Sequence, residues 1–282
     1  MGPCGKTFYF HSSGILPILT AELNLITKSR KAIRLIRTTP RGELWSLLVA
    51  RSGVCAFLPT ARKAFWRHQI PSEIAHWDNC VRTRGKSCGY NIMDQYLNPD
   101  FRLQDEVAEL LPKDDGPLVL LDVGAGPFTF LGKKHEQLKF KIVAVDPLAD
   151  AYAEILAKYS ITPLVRTERL EAECLTERFA ENTFDLAFAR NCLDHSHDPE
   201  KAVIQMIKVV KPGRYVLLRH VPNEAENQRY SGLHQWNFCE KSGDFIISSK
   251  WRSTNLTRKY DAICSIACSY DQKWLITRIR KK

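Results

Sequence analysis

The apolar run Leu118–Val123 breaks into Gly124, Gly126 and Gly132 within nine residues, and this turn restricts the fold of the 282-residue chain most sharply. A buried-type strand ending in glycines brings backbone close to a ligand, or merely permits a tight strand-to-helix turn. The pattern around it alternates. KIVAVD (141–146), TPLVRT (162–167), FDLAFAR (184–190) and RYVLLRH (214–220) read as short buried strands. ADAYAEILAKY (149–159) and DPEKAVIQMIKVV (198–210) have helical spacing, the second with Asp198 as N-cap and Pro199 at the first helical position. Residues 124–140 leave room for one more helix. Such alternation predicts an α/β chain, an open parallel sheet with helices on both faces. The tail differs: GDFIIS, DAICSIACS and KWLITRI are strand-like, SYDQK (269–273) suits a hairpin turn, and the sheet is expected to end in an antiparallel edge.

Upstream, residues 61–112 read as helical, with Ser72 capping SEIAHWDNCVRT, a second helix over FRLQDEVAELL, and a loop, GKSCGYNIMDQYLNPD, between them. Residues 1–60 read as a basic extension. The net charge of +10 is concentrated there: up to Arg67 there are 11 Lys/Arg against 2 Asp/Glu, and after it 30 against 29. A basic, partly apolar front end suits an anionic membrane surface or a nucleic acid, or is simply a solvated, flexible extension. No run reaches the roughly 18 apolar residues of a membrane span, and no secretory leader is expected, so a cytoplasmic setting is. The nine cysteines form no CxxC pair; no metal site is expected, and free thiols fit a reducing compartment.

The glycine turn narrows the chemistry. A diphosphate-cradling GxGxxG from Gly124 would need glycine at 129, where the chain has Thr129, and no GK[ST] follows for a phosphate loop. Instead Asp122 precedes the turn as D-V-G-A-G. A carboxylate beside a glycine turn suits a cationic or zwitterionic ligand. Ligands of such sheets lie beyond the strand carboxyl ends, which here are Asp122, Asp146, Glu168–Glu173, Arg190–His197 and His220.

In DVGAGP, in VAVD ending at Asp146, in LEAECL (170–175), in NTFDLAFARNCLDH and in HDPEKAVIQMIKVVKPGRYVLL, the chain resembles class I S-adenosylmethionine-dependent methyltransferases of the type 11-like kind. The resemblance runs over about residues 115–220. It implies a Rossmann-like, mostly parallel seven-stranded sheet, a methyltransferase domain over 113–282, a helical lid over 61–112, and S-adenosyl-L-methionine as cofactor. It further implies cofactor contacts from Asp122, Gly124, Ala125, Gly126, Asp146, Pro147, Glu171, Ala172, Arg190 and Asn191. Asp146 falls where the family binds both ribose hydroxyls, and Glu171 where an acid flanks adenine. The chain departs at Phe128, where a third glycine is usual, and at Arg214 in KPGR.

Methyl transfer from a sulfonium chiefly needs alignment, and a hydroxyl acceptor gains from a base. His195 is the first candidate base, with Asp194 as its partner or substitute; His234 and His220 are further candidates, and all could instead organise loops. The loop NEAENQRYSGLHQWNF gathers Tyr230, His234, Gln235, Trp236 and Asn237, groups able to stack on a sugar and bond its hydroxyls, or to plug the core. Trp66, His68, Glu73, His76 and Trp77 are candidates for the lid, with Trp77 more readily a domain-packing residue. The expected function is methylation of a small polar acceptor, a sugar hydroxyl or glycan precursor. The alternatives are a nucleic-acid methyltransferase, disfavoured because ARNCL replaces the asparagine-proline-proline-aromatic motif, and a non-catalytic S-adenosylmethionine-binding module. A nicotinamide oxidoreductase is disfavoured by Thr129 and Asp122.

Overall fold

A computed structural model describes residues 59–88, 93–113 and 116–282. The chain divides between residues 65 and 66, and the account below concerns the unit from Trp66 onward. The basic extension lies almost wholly outside the described residues.

The strands are β1 (Leu118–Val123), β2 (Phe140–Asp146), β3 (Thr167–Arg169), β4 (Phe184–Arg190), β5 (Val210–His220), β9 (Cys264–Asp271) and β10 (Trp274–Lys281), with β6 (Asn237–Lys241), β7 (Asp244–Ser248) and β8 (Ser253–Asn255) between β5 and β9. The main sheet has seven strands in the order β3-β2-β1-β4-β5-β10-β9. Pairing is parallel through β5 and antiparallel from β5 to β10 and from β10 to β9. The chain steps outward from β1 to β3 and then returns to β4, so strand order reverses between β1 and β4, where a crevice opens at the carboxyl ends.

The alternation of side chains explains why this sheet is covered on both faces. Leu121, Val123, Ala187, Ala189, Val216 and Leu218 face one core with Met206 and Ile207 of α5 (Pro199–Val209). Leu118, Leu120, Leu186, Phe188, Leu217 and Ile276 face the other, with Leu103, Val107 and Leu111. Helix α5 starts as its sequence directs: Asp198 Oδ1 accepts from Lys201 N at 3.3 Å, with proline next in line. Helix α4 (Ala149–Lys158) buries Tyr152, Ile155 and Leu156 against a third cluster that includes Trp77, Tyr96, Phe128 and Phe130.

Local expectations fail where tertiary contacts override them. Residues 124–139 hold no helix; instead Leu103 N donates to Lys134 O at 2.9 Å and Lys133 N to Phe101 O at 2.7 Å, tying the segment to a neighbouring one. The same tie shortens the helix over FRLQDEVAELL to α3 (Asp105–Ala108). Gly132 serves this crossing and not a ligand, since a Cβ there would lie 2.1 Å from Arg102 O. Helix α1 (Pro59–Arg82) runs through Pro71, so Ser72 is not its cap; the Ser72 hydroxyl donates back to Gln69 O at 2.6 Å. The expected loop contains α2 (Met93–Leu97), pinned by buried Met93 and Tyr96. Strand β3 is Thr167–Arg169, so of the expected TPLVRT strand only Thr167 lies in the ladder, and Pro163 has no N–H to extend it. GDFIIS lies not on the main sheet but in a separate antiparallel sheet, β6-β7-β8, whose Phe238, Phe245 and Ile247 pack on the first core.

Candidate active site

A cavity of about 270 Å³ opens at the switch point, lined by Gly124 and Gly126 after β1, Asp146 and Pro147 after β2, Ala172 and Glu173, Arg190 to Ser196 after β4 with Asp194 excepted, and Leu233 and His234. The part of α1 from Trp66 adds Trp66, Glu73, His76 and Trp77, and Glu224 comes from α6 (Glu224–Asn227). His68 is exposed and lies apart from it.

Both turn glycines have positive φ, +68° at Gly124 and +64° at Gly126, a conformation costly for side-chain-bearing residues. Cys192 packs against the first of them; a Cβ on Gly124 would lie 2.5 Å from its Sγ. The Cys192 thiol donates to Val123 O at 3.2 Å, and burial pushes its pKa well up, so it is a packing group rather than a nucleophile. Phe128 does not narrow the cavity. It is buried beside Trp77 and Phe130, with ring centroids 6.1 and 6.0 Å away.

Asp146 ends β2 with both carboxylate oxygens held by backbone: Gly126 N donates to Oδ2 at 3.1 Å and Leu148 N to Oδ1 at 2.8 Å. Burial raises its pKa to about 6 despite those donors. Each oxygen keeps acceptor capacity toward the cavity. Asp122, by contrast, is buried beneath the turn and does not line the cavity; Thr129 Oγ1 donates to it at 2.5 Å, and burial lifts its pKa to about 7. Ala125 and Glu171 also lie outside the lining. Glu171 Oε2 is 3.3 Å from His197 Nε2, and Glu173, missed in the sequence because LEAECL holds two acids, occupies the wall instead.

Arg190 lines the cavity with its guanidinium 4.8 Å above Phe130 and 5.1 Å above Trp274, and it donates to the Tyr96 hydroxyl at 2.9 Å. Asn191 adopts φ +46° and accepts from Val221 N at 3.0 Å.

The turn Leu193–His195 carries the third group. Asp194 is buried; His234 Nδ1 lies 2.8 Å and His195 Nε2 3.4 Å from its Oδ2, and the two imidazole nitrogens are 3.1 Å apart. Burial alone would raise the Asp194 pKa, but the neighbouring His195, His234 and His220 hold it below the ordinary carboxylate value. Burial would depress His234, and Asp194 overcomes this so that its pKa is raised. His220 is no base: buried, stacked on Phe238 at 4.4 Å and accepting from Leu193 N at 3.3 Å, it is pushed down to about 4 by burial.

The acceptor loop is only partly as expected. Trp236 is buried and donates to Ser196 O at 3.0 Å; Gln235 spends its amide on Tyr230 O and Gly232 O, both at 2.9 Å. Asn237 accepts from Glu226 N at 3.0 Å, and its amide donates to the Tyr230 hydroxyl at 3.2 Å. These four groups shape the loop, and only His234 of the named set reaches the cavity.

Residues 96–264, more than half of the chain, match the model of a methyltransferase domain family. The chain belongs to that family. The methyltransferase takes S-adenosylmethionine as its methyl donor. A further likeness is to phosphoethanolamine N-methyltransferase 2 of Caenorhabditis elegans, 26% identical over 99 residues, which are 35% of this chain. The match spans only 23% of that relative's length. Among solved structures, 1,6-didemethyltoxoflavin-N1-methyltransferase of Burkholderia thailandensis is 17% identical, with 59% of this chain and 72% of that one covered and a TM-score of 0.36. The CurJ carbon methyltransferase is 14% identical, with 61% and 50% covered and a TM-score of 0.43. Among the described residues no helix is long and apolar enough to cross a membrane.

The cavity's donor set fits the donor molecule. Glu73, Asp146, Glu173 and Glu224 line it against Arg190, which among the described residues is the one Lys or Arg of the lining, and this favours a ligand carrying a sulfonium and an ammonium group. The two glycines and the backbone-held carboxylate of Asp146 provide a close approach and acceptors for a diol.

Proposed function

We propose that the enzyme methylates a hydroxyl of a small polar acceptor, with a sugar or glycan precursor as the favoured class. The observation that carries this reading is the Asp194–His195–His234 group, which opens into the same cavity as Gly124, Gly126 and Asp146. Bound S-adenosylmethionine supplies an electrophilic methyl. The chain's residues do the rest. Asp146 accepts from the ribose hydroxyls; the backbone of Gly124, Ala125 and Gly126 lies beneath the methionine part; Pro147 and Ala172 flank the nucleoside, and Glu171 acts there by holding His197. Arg190 and Asn191 close the methionine end, and Asp122 acts indirectly, through Thr129, by fixing the turn. His195 takes the acceptor proton, with Asp194 and His234 holding it in place. The lid is the part of α1 bearing Trp66, Glu73, His76 and Trp77. Methyl transfer then depends mainly on alignment, as an in-line displacement does.

The acidic lining favours a second reading, an amine acceptor, and the likeness to a phosphoethanolamine N-methyltransferase points the same way. An assay of S-adenosylhomocysteine release across sugars, nucleotide sugars and amino alcohols separates the two. Release with sugars, lost in His195→Ala, supports the hydroxyl reading. Release only with amines overturns it, and donor binding with no transfer to any acceptor, nucleic acid included, makes the chain a binding module.

A further inference from the structure

Asp194 Oδ2, His195 Nε2 and His234 Nδ1 form a triangle with edges of 3.4, 2.8 and 3.1 Å. Hydrogen bonds cannot satisfy all three edges at once. The carboxylate oxygen only accepts, and each imidazole nitrogen either donates or accepts. If both nitrogens donate to Asp194, two donors face each other; if either one accepts, it faces the carboxylate as a second acceptor. One edge is therefore always mismatched. A cation at the centre satisfies all three vertices, and the dimensions suit one. Ligands about 2.1 Å from an ion are about 3.0 Å apart in an octahedral arrangement and about 3.4 Å apart in a tetrahedral one.

Three further observations point the same way. Asp194 is buried, and among the described residues its Oδ1 has no hydrogen-bond partner. Behind His195, Glu73 Oε2 is 3.7 Å from Nδ1, on the side of the ring where an outer carboxylate faces a ligating imidazole. The surrounding wall carries Glu73, Asp146, Glu173 and Glu224, so the local potential favours a cation. The chain pairing is also fixed, because Gln235 N donates to Asp194 O at 3.4 Å and so holds the two ligand-bearing segments together. Two imidazoles with one carboxylate suit a first-row transition ion and not magnesium or calcium, which prefer oxygen alone.

We propose that Asp194, His195 and His234 bind a divalent first-row transition-metal ion, and that its open positions take the oxygen of the acceptor; this use of the site rests on the acceptor reading above. With the ion in place the imidazoles are ligands and His195 is no longer the base. The acceptor hydroxyl loses its proton to solvent water, its oxygen forms the new bond to the methyl carbon, and the carbon–sulfur bond breaks with its electron pair left on sulfur. Coordination makes the hydroxyl more acidic, the role metals play with bound water.

The test is a Co²⁺ titration of chelator-treated full-length protein, followed by visible absorption and by calorimetry. One Co²⁺ per chain is expected, with bands of imidazole coordination, and affinity at least tenfold weaker in His234→Ala and His195→Ala. Asp194→Asn keeps the side-chain volume where Asp194→Ala risks misfolding, and circular dichroism checks each variant. Co²⁺ binding that is absent, or unchanged in all three variants, overturns the metal site. Undiminished methyl transfer by metal-free protein overturns the ion's part in the reaction and leaves the methyltransferase standing. Co²⁺ bound as expected with no transfer to any hydroxyl acceptor sustains the site and overturns the acceptor reading.

Discussion

Asp146 and Asp194 are both buried acids, the first lining the cavity and the second holding the lining residues His195 and His234, yet their surroundings are opposite. Asp146 is held by two backbone N–H groups, which are fixed and carry no full charge. Its pKa rises to about 6 because those donors only partly offset burial. Asp194 is held by imidazoles, which can gain a proton or exchange it for a cation, and it stays below the ordinary carboxylate value. A backbone-held carboxylate, while ionised, is an acceptor suited to a neutral diol. An imidazole-held one is a site of variable charge. On the proposed function, the pair divides the cavity into a region for holding a molecule and a region for changing one.

Substitution separates the two regions. Asp194→Asn is expected to lower methyl transfer by about 10²- to 10⁴-fold while leaving S-adenosylmethionine affinity within about threefold, measured by product release and calorimetry. A parallel loss of donor affinity would merge the two regions. Asp146→Ala is expected to do the reverse, weakening donor binding by about ten- to a hundredfold, since hydrogen bonds to a charged group contribute about 1.5–3 kcal/mol. Transfer at saturating donor should then survive.

Gly124→Ala strikes the seam between them, where the turn packs on Cys192. The left-handed backbone and the close approach together should lower stability by about 1–3 kcal/mol, read as a fall in Tm. Cys192→Ala should not rescue it, because a Cβ at 124 would also lie 2.6 Å from the Cys192 Cβ.

The smallest effect is pH dependence. Asp122 and Asp146 have folded pKa values of about 7 and about 6, both above the ordinary 3.8. Their contribution to stability is therefore full below about pH 4 and is lost as pH rises through 6 and 7. Donor affinity runs the other way: below about pH 6, protonation of Asp146 should weaken it by up to about tenfold per pH unit. Donor affinity that is flat from pH 5 to 8 would remove Asp146 from the diol.

The sheet was readable because its signals are periodic and local. Leu118–Val123, Phe184–Arg190 and the Asp198–Pro199 helix start needed nothing from the rest of the chain. Gly124, Gly126 and Asp146 stood out too, because they sit at strand ends, and the fold brings all three into the wall of one cavity. What failed was set at a distance. Residues 124–139 kept no helix because Gly132 and Lys133 meet Phe101 and Arg102, a contact with no sequence signature. Trp236 and Gln235 looked available for a sugar, but the core and the loop's own carbonyls took them. Glu73 is a helical acid like many others, and only the fold shows it beside His195.

The missing helix after β1 has an electrostatic consequence. A helix starting at a glycine turn points its dipole's positive end, about half an elementary charge, at whatever the turn holds, which suits phosphate. Here residues 124–139 hold no helix, so that positive end is not supplied behind Gly124 and Gly126. The turn thus approaches its ligand with backbone alone, and the four acids of the wall set the local field. A doubly charged diphosphate would be repelled where a sulfonium is drawn in. Among nucleoside-bearing ligands, the discrimination is set in part by a helix that residues 124–139 do not form.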